Sequence, residues 1–347
     1  MAATTPATTS SPSPPPSMIS SKVKRGLMLW LEGFRDACCL HRVVILCHRS
    51  RRLLLRTGQC FLLNGLIFLG SVFVLKSFVI PMLQWILPDM CPSVVFQEMC
   101  SSTSVLKAYS ILRAVLIQLV HFFWFYPLYA LSIVLSTIWY NDIALHGFEA
   151  MAKDKPAGLQ TAVGKEVSTS EIPMHTEKPA GLEGIMISIG EQVYSVLLLS
   201  FFFLEVSATG FIPYIGKALN FVLLSWMYAY YCFEYKWNMY GVSLDKRLDF
   251  FESNWPFFAG FGSPCVLAIF FFPPLESYAV MATLFPLFVL TGTSSEFDKV
   301  MNSKRKMWRG AGLGRVPIFY VADTFSMRIL SFLPFRRPRE DQGNKTL

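Results

Sequence analysis

Apolar runs alternate with polar stretches along this chain, and the runs fall into two length classes. Residues 60–87 are apolar with one interruption at Lys76, and residues 114–140, AVLIQLVHFFWFYPLYALSIVLSTIWY, hold no Asp, Glu, Lys or Arg. At 1.5 Å per residue, about 20 apolar residues cross about 30 Å of hydrocarbon. Both runs meet that length. In the second half, runs 192–204 and 218–233 flank the turn ATGFIPYIGK, and runs 256–272 and 277–292 flank Pro273-Pro274. Short arms joined by Pro-containing turns suit hairpins that enter the bilayer and return; full spans in a thinned bilayer are the other reading. The pattern predicts an all-α integral membrane protein. It has two full transmembrane helices, two short, hemi-penetrating helical hairpins and interfacial amphipathic helices.

The flanking segments divide the chain further. Residues 1–21 are Ser/Thr/Pro-rich, lack an apolar signal-peptide core and read as a disordered tail. A membrane domain follows over 22–292, interrupted by a flexible polar linker at 150–183 that contains KPAGL twice. Its first helix, 22–40, puts Leu27, Trp30, Leu31, Phe34 and Cys38 on one face and Arg25, Glu32 and Asp36 opposite, the geometry of a helix lying flat among headgroups. Residues 293–347 form a basic C-terminal region with an interfacial helix expected at 317–333. The glycines at 310, 312 and 314 follow no soluble strand, so they read as a basic, lipid-facing turn rather than a nucleotide site.

Composition agrees with the run lengths: 53% of residues are hydrophobic and 16% charged, against about 25% charged in soluble domains. The net charge of +8 does not form one basic face for nucleic acid. Nine Lys/Arg lie in 22–56 and ten in 299–339, both flanking apolar runs. That placement fits the positive-inside bias and attraction to anionic cytosolic headgroups. Two hairpins plus two spans, or six spans, put both termini on the same, cytosolic side, and the first span directs insertion into the endoplasmic reticulum.

Candidate chemistry is sparse. The eight cysteines show no CxxC pair. Cys91 and Cys100 share a short loop between the spans and are either a disulfide or two free thiols. Cys38, His41, Cys47 and His48 match no zinc template, and Cys38 or Cys39 is a candidate for acylation. Lys76, His121 and Glu205 are ionisable groups at depth, which makes them functional hypotheses. Snorkelling for Lys76, a turn position for Glu205 and a hydrogen-bonded helix contact for His121 are the competing readings. Nothing pairs a nucleophile with a base, so the expectation is a chain that is not an enzyme and needs neither metal nor cofactor.

The stretch at 232–264 stands apart. Aromatics from Tyr228 to Tyr240 mark where a helix leaves the bilayer. Leu244, Leu248, Phe251 and Trp255 then share one helical face, while Asp245, Asp249 and Glu252 gather on the flank with Lys246 in reach of Asp249. Pro256, Gly260, Gly262 and Pro264 open the next hairpin, the glycines permitting close backbone packing. This reading makes Trp255 a buried anchor and Glu252 a surface charge of little consequence.

YCFEYKWN at 231–238 and RLDFFESNWPFFAGFGSP at 247–264 resemble the etoposide-induced protein 2.4 family of eukaryotic endoplasmic-reticulum membrane proteins. GLMLWLEGFRDACCL at 26–40, FVIPMLQ at 78–84, FYPLYALSIVLSTIWYNDIA at 125–144 and LFPLFV at 284–289 extend the likeness in order. The Ser/Pro-rich start and the doubled KPAGL fit a plant member. The motif residues carried by the resemblance are Cys232, Phe233, Glu234, Tyr235, Trp237, Arg247, Leu248, Glu252, Asn254, Trp255, Pro256, Gly260, Gly262 and Pro264. No catalytic residue comes with them. The resemblance implies a role in autophagy, in autophagosome maturation, and in stress-linked growth control and cell death (apoptosis), with autophagy-related proteins as partners. Animal members are associated with importin-β, for which RSRRLLLR at 49–56 is a short, half-apolar match. The family is also similar to bacterial CysZ sulfate transporters, which raises anion permeation, with Lys76 and Arg113 as the cations to line a path. Oligomerisation is left open.

Overall fold

The computed structural model describes residues 16–88, 104–152, 182–297 and 313–332, and among them every regular element is helical. The helices are α1 (Pro16–Ala37), α2 (Leu40–Arg49), α3 (Arg51–Ile86), α4 (Ser104–Ala152), α5 (Leu182–Thr209), α6 (Gly216–Met239), α7 (Leu244–Ser253), α8 (Trp255–Leu267), α9 (Pro274–Ser294) and α10 (Tyr320–Phe332). Most of the predicted tail, the linker core at 153–181 and the Cys91–Cys100 loop lie outside the described residues. Helix α1 nevertheless starts at Pro16, inside the stretch expected to be tail, with proline at a position that has no helical N–H to lose.

Among the described residues three helices are long and apolar enough to cross a membrane: α3, α4 from Ala108 onward, and α9. The first two are the expected spans, and α4 runs unbroken through Pro127. Both face outward, exposing Phe73, Phe78, Trp85, Phe123 and Val134. The third is the returning arm of the second hairpin. At 21 residues it is longer than the apolar run suggested, because Pro274 starts the helix and polar Thr291–Ser294 continue it.

Both hairpins form, α5–α6 and α8–α9. The arms of the first are 28 and 24 residues, longer than their apolar cores, because the helices carry on into polar sequence at their outer ends. Each turn is apolar on its outside. Phe211, Tyr214 and Ile215 are exposed at the first, and Phe271 and Phe272 at the second. Polar side chains also reach inward, while Lys217 at the end of the first turn is exposed. Asn220 donates to the Val206 carbonyl at 2.7 Å, and the Ser277 hydroxyl lies 2.9 Å from the carbonyl oxygens of both Ile269 and Phe272. A backbone that leaves its helix in hydrocarbon needs partners for the carbonyls it frees, and these two side chains supply them.

The main core collects Tyr230, Phe233, Phe251, Phe257, Phe258, Phe261 and Phe319, all at most 1% exposed. Phe251 and Phe258 stack at 4.3 Å, and Phe233 meets Phe261 edge-on at 4.9 Å. Here the expectation for α1 is corrected. The helix does not simply lie flat on the face defined by Leu27, Leu31 and Cys38, which are exposed. It packs along α8 through Leu29, Gly33 and Ala37, with Trp30 and Phe34 half-buried beside them. The reason is backbone proximity: a Cβ on Gly33 would lie 2.0 Å from the Phe257 carbonyl oxygen, and one on Gly260 would lie 1.9 Å from that of Trp30. Small residues let the two backbones touch, and apolar size ceases to decide which face turns in.

Candidate functional site

The motif residues come together around α7. Cys232, Phe233 and Trp237 face the aromatic core from α6, and Leu248 faces it from α7. Asn254 ends α7 and starts α8, its side chain donating to the Phe250 carbonyl at 2.7 Å while its own carbonyl accepts from the Phe257 N–H. Trp255 is half-buried with its carbonyl accepting from Trp226 Nε1 at 3.0 Å, and the two indoles meet edge-on. Its own Nε1 is buried without a partner, as is the hydroxyl of Tyr230. Pro256 sits in the first turn of α8, Gly260 and Gly262 make its backbone contacts, and the Pro264 carbonyl accepts from Ala268 N–H. Arg247 Nε donates to the Val242 carbonyl, tying the start of α7 to the turn before it. Glu234 and Tyr235 are half-buried at the end of α6.

Glu252 is not the surface charge expected from its position in sequence. Its side chain is 4% exposed. One carboxylate oxygen accepts from Arg315 Nε at 2.7 Å, the other from the Phe319 N–H at 3.1 Å, and its backbone carbonyl accepts from Val316 N–H at 3.2 Å. Arg315 Nη1 also reaches Asp249 at 2.7 Å. The extended strap at 313–319 thus wraps the acidic flank of α7, and the carboxylates hold the Arg315 guanidinium above its already high ordinary pKa. Asp249 and Glu252, three apart on one helical face, signalled a basic partner. The partner lies 63 residues away in the segment read as a lipid-facing turn. From the strap, α10 continues onto α5, where Tyr194 donates to Asp323 and Phe201 stacks on Phe325.

The residues proposed for an anion path are each engaged elsewhere. Lys76 pairs with Glu276 at the start of α9. Arg113 Nε donates to the Leu87 carbonyl at 2.8 Å, closing the end of α3. The two contacts are separated along α3 by 11 residues, roughly 16 Å of rise, so they do not converge. His121 Nδ1 lies 3.0 Å from the Ile117 carbonyl and beside Phe125, the helix-contact reading. One carboxylate oxygen of Glu205 is buried without a partner near the end of α5. Cys38 is exposed at the end of α1, and burial pushes the half-buried Cys47 thiol up. Among the described residues no three His, Cys, Asp or Glu side chains gather where a metal ion could be held.

A buried polar node between the three candidate spans escaped sequence reasoning. Asn64 is fully buried; it donates to Ser136 Oγ at 2.8 Å and to the Ala282 carbonyl at 3.3 Å, and accepts from Ser132 Oγ at 2.5 Å. The Tyr140 hydroxyl donates to the same Ala282 carbonyl at 2.9 Å. Ala282 lies four residues before Pro286, which has no N–H to bond it within α9. The proline frees a carbonyl in the membrane, and α3 and α4 each supply it with a donor.

Residues 39–286 match the family described as sulfate transporter CysZ/etoposide-induced protein 2.4. "Protein EI24 homolog" of Arabidopsis thaliana is 63% identical over 321 residues, 92% of this chain and 99% of the relative. "Protein EI24 homolog" of Dictyostelium discoideum is 28% identical over 85% of this chain and 81% of the relative. "Ectopic P granules protein 4" of Caenorhabditis elegans is 25% identical over 50% of this chain and 48% of its own. No solved structure matches the chain.

Proposed function

This chain belongs to the sulfate transporter CysZ/etoposide-induced protein 2.4 family, and on that premise we propose that it is a non-catalytic endoplasmic-reticulum membrane protein acting in autophagy. Its step is the maturation of autophagosomes, with a bearing on stress-linked growth and cell-death control. The observation that carries the reading is the near full-length likeness to the plant relative, over 92% of this chain. The motif's uses support a scaffold: Arg247 and Asn254 hold backbone carbonyls, and Glu252 holds the strap. Both termini face the cytosol in this reading. The outer stripe of α1, Val23, Leu27, Met28 and Leu31, is exposed beside Lys22 and Lys24, a surface suited to the anionic headgroups of that leaflet.

The test is a null mutant scored for autophagic flux and autophagosome morphology, with rescue by chains altered in 245–262. Normal flux in the null sinks the proposal. Glycosylation of the native chain at Asn344-Lys345-Thr346 overturns the topology. Anion transport of CysZ type is the second reading, favoured by the family's description. It predicts sulfate flux in proteoliposomes of the purified chain, and it requires Lys76 to part from Glu276 during transport.

A further inference from the structure

Helices α4 and α6 leave the apolar layer side by side, and a groove of about 300 Å³ opens between them at that level. Asn141, Asp142 and Leu145 line it from α4, and Tyr235, Asn238 and Met239 from α6. The apolar run of α4 ends at Tyr140, so the two polar residues that follow stand where hydrocarbon gives way to headgroups. Further out, Phe148 and Tyr240 meet edge-on at 5.3 Å and close that end. The volume is at the lower end of the range that small ligands occupy, about 300–1,000 Å³.

The lining has more hydrogen-bonding capacity than the fold uses. Asn141 and Asn238 are exposed, Tyr235 is half-buried, and among the described residues no side-chain hydrogen bond engages any of the three. One carboxylate oxygen of Asp142 lies 3.3 Å from Arg56 Nε, while Arg56 Nη1 donates to Gln59. A carboxylate has about four acceptor positions, and this contact leaves most of them open.

That inventory selects a ligand. No Lys, Arg or His lines the groove, so a headgroup of net negative charge would meet a carboxylate and no free cation. The complementary head carries a cation for Asp142 and a phosphodiester for the amide N–H groups of Asn141 and Asn238. The cation is a primary ammonium, whose N–H groups donate to carboxylate and amide oxygens. A quaternary ammonium needs an aromatic cage, and the Tyr235 ring alone lines this groove. Toward the bilayer, Val134 and Ile138 share the α4 face of Asn141 and Leu145 and are 58% and 55% exposed. They form a track for acyl chains attached to such a head.

We propose that the groove between α4 and α6 binds the headgroup of phosphatidylethanolamine. Asp142 takes the ammonium, and Asn141, Asn238 and Tyr235 take the phosphodiester. The inference does not rest on the proposed function.

Full chain purified in a mild detergent, with lipid binding read by native mass spectrometry, provides the test. Phosphatidylethanolamine, its mono- and dimethylated forms, phosphatidylcholine and phosphatidylglycerol are compared with identical acyl chains. Binding should fall with each added methyl group and be about tenfold weaker for phosphatidylcholine, the effect of one lost charge-assisted hydrogen bond. Equal binding of all five, or a preference for phosphatidylglycerol, overturns the proposal. This arm uses the native chain, so no variant has to fold. Asp142→Asn should erase the preference for phosphatidylethanolamine over phosphatidylcholine. Arg56→Gln, which removes the ion pair and keeps the carboxylate, should retain it. A preference that survives Asp142→Asn, or disappears in Arg56→Gln, overturns the assignment. Glycerophosphoethanolamine, the same head without tails, should not displace the lipid at equal concentration. Displacement would make the ligand a soluble phosphoester and overturn the lipid site.

Discussion

Gly262 stands against Ser225 so closely that a Cβ on the glycine would lie 1.7 Å from the serine carbonyl oxygen. The neighbour is backbone, so no rotamer change can make room, and α6 and α8 would have to move apart. Overpacking a core costs about 1–3 kcal/mol when side chains can adjust. Gly262→Ala is expected to exceed that range and to lower the thermal midpoint of the detergent-solubilised chain sharply. Gly70→Ala, with nothing within 4 Å of its Cβ position, is the matched control and should be neutral. Equal midpoints for the two variants would refute the contact.

Among the described residues Arg315 is the one cation bonded to the Glu252 carboxylate, and the carboxylate is buried. Arg315→Met leaves it without a charge partner. Removing one partner of a buried pair costs about 3–5 kcal/mol; the guanidinium is half exposed, so water shares its role and the lower end is expected. Glu252→Gln should cost about 1–3 kcal/mol by weakening charge-assisted bonds to Arg315 Nε and Phe319 N–H. Limited proteolysis reads the consequence directly. The strap at 313–319 should become cleavable in both variants, and Asp245→Asn, on an exposed position of the same helix, should leave it protected.

How much of this was legible beforehand depended on what each residue's environment is made of. Run length alone located α3 and α4, because crossing hydrocarbon is a property of one segment. Of the stripe Leu244, Leu248, Phe251 and Trp255, the first three are buried on α7, while Trp255 starts α8 and is half-buried. Glu252 was misjudged because its fate is decided by a strap 63 residues on, whose arginine looks like any basic residue beside a membrane. The face of α1 was misjudged because Gly33 and Ala37 carry little hydrophobicity, and only the partner backbone reveals that smallness is what the seam selects.

The hairpin turns should end in hydrocarbon. Phe271 is 82% exposed at the tip of the second, and the Ser277 hydroxyl lies within hydrogen-bond distance of two carbonyls beneath it. Phe271→Cys should therefore resist membrane-impermeant thiol reagents from either side of a sealed vesicle yet react with a lipid-soluble one. Labelling by an impermeant reagent from the lumenal side would establish a full crossing. Ser277→Ala leaves the Phe272 carbonyl without its hydroxyl partner in a medium without water, at about 1–3 kcal/mol, and should loosen the tip enough to speed exchange of its amides.

The Ala282 carbonyl allows a sharper test, because its need for donors has one cause. If Pro286 creates the need, then Pro286→Ala removes it by restoring an N–H four residues downstream. Asn64→Leu in the native background deprives the carbonyl of one donor, leaves Ser132 and Ser136 without their shared partner, and should cost about 0.6–2 kcal/mol, the range of polar contacts between membrane helices. In the Pro286→Ala background the carbonyl is already bonded within α9, so the same substitution should cost measurably less. Tyr140→Phe should behave alike, since its hydroxyl serves the same oxygen. The double-mutant cycle on thermal or denaturant stability gives a coupling energy of defined sign. A coupling of zero would mean that Asn64 acts through its serines alone, and that the kink and the node are neighbours without being cause and remedy.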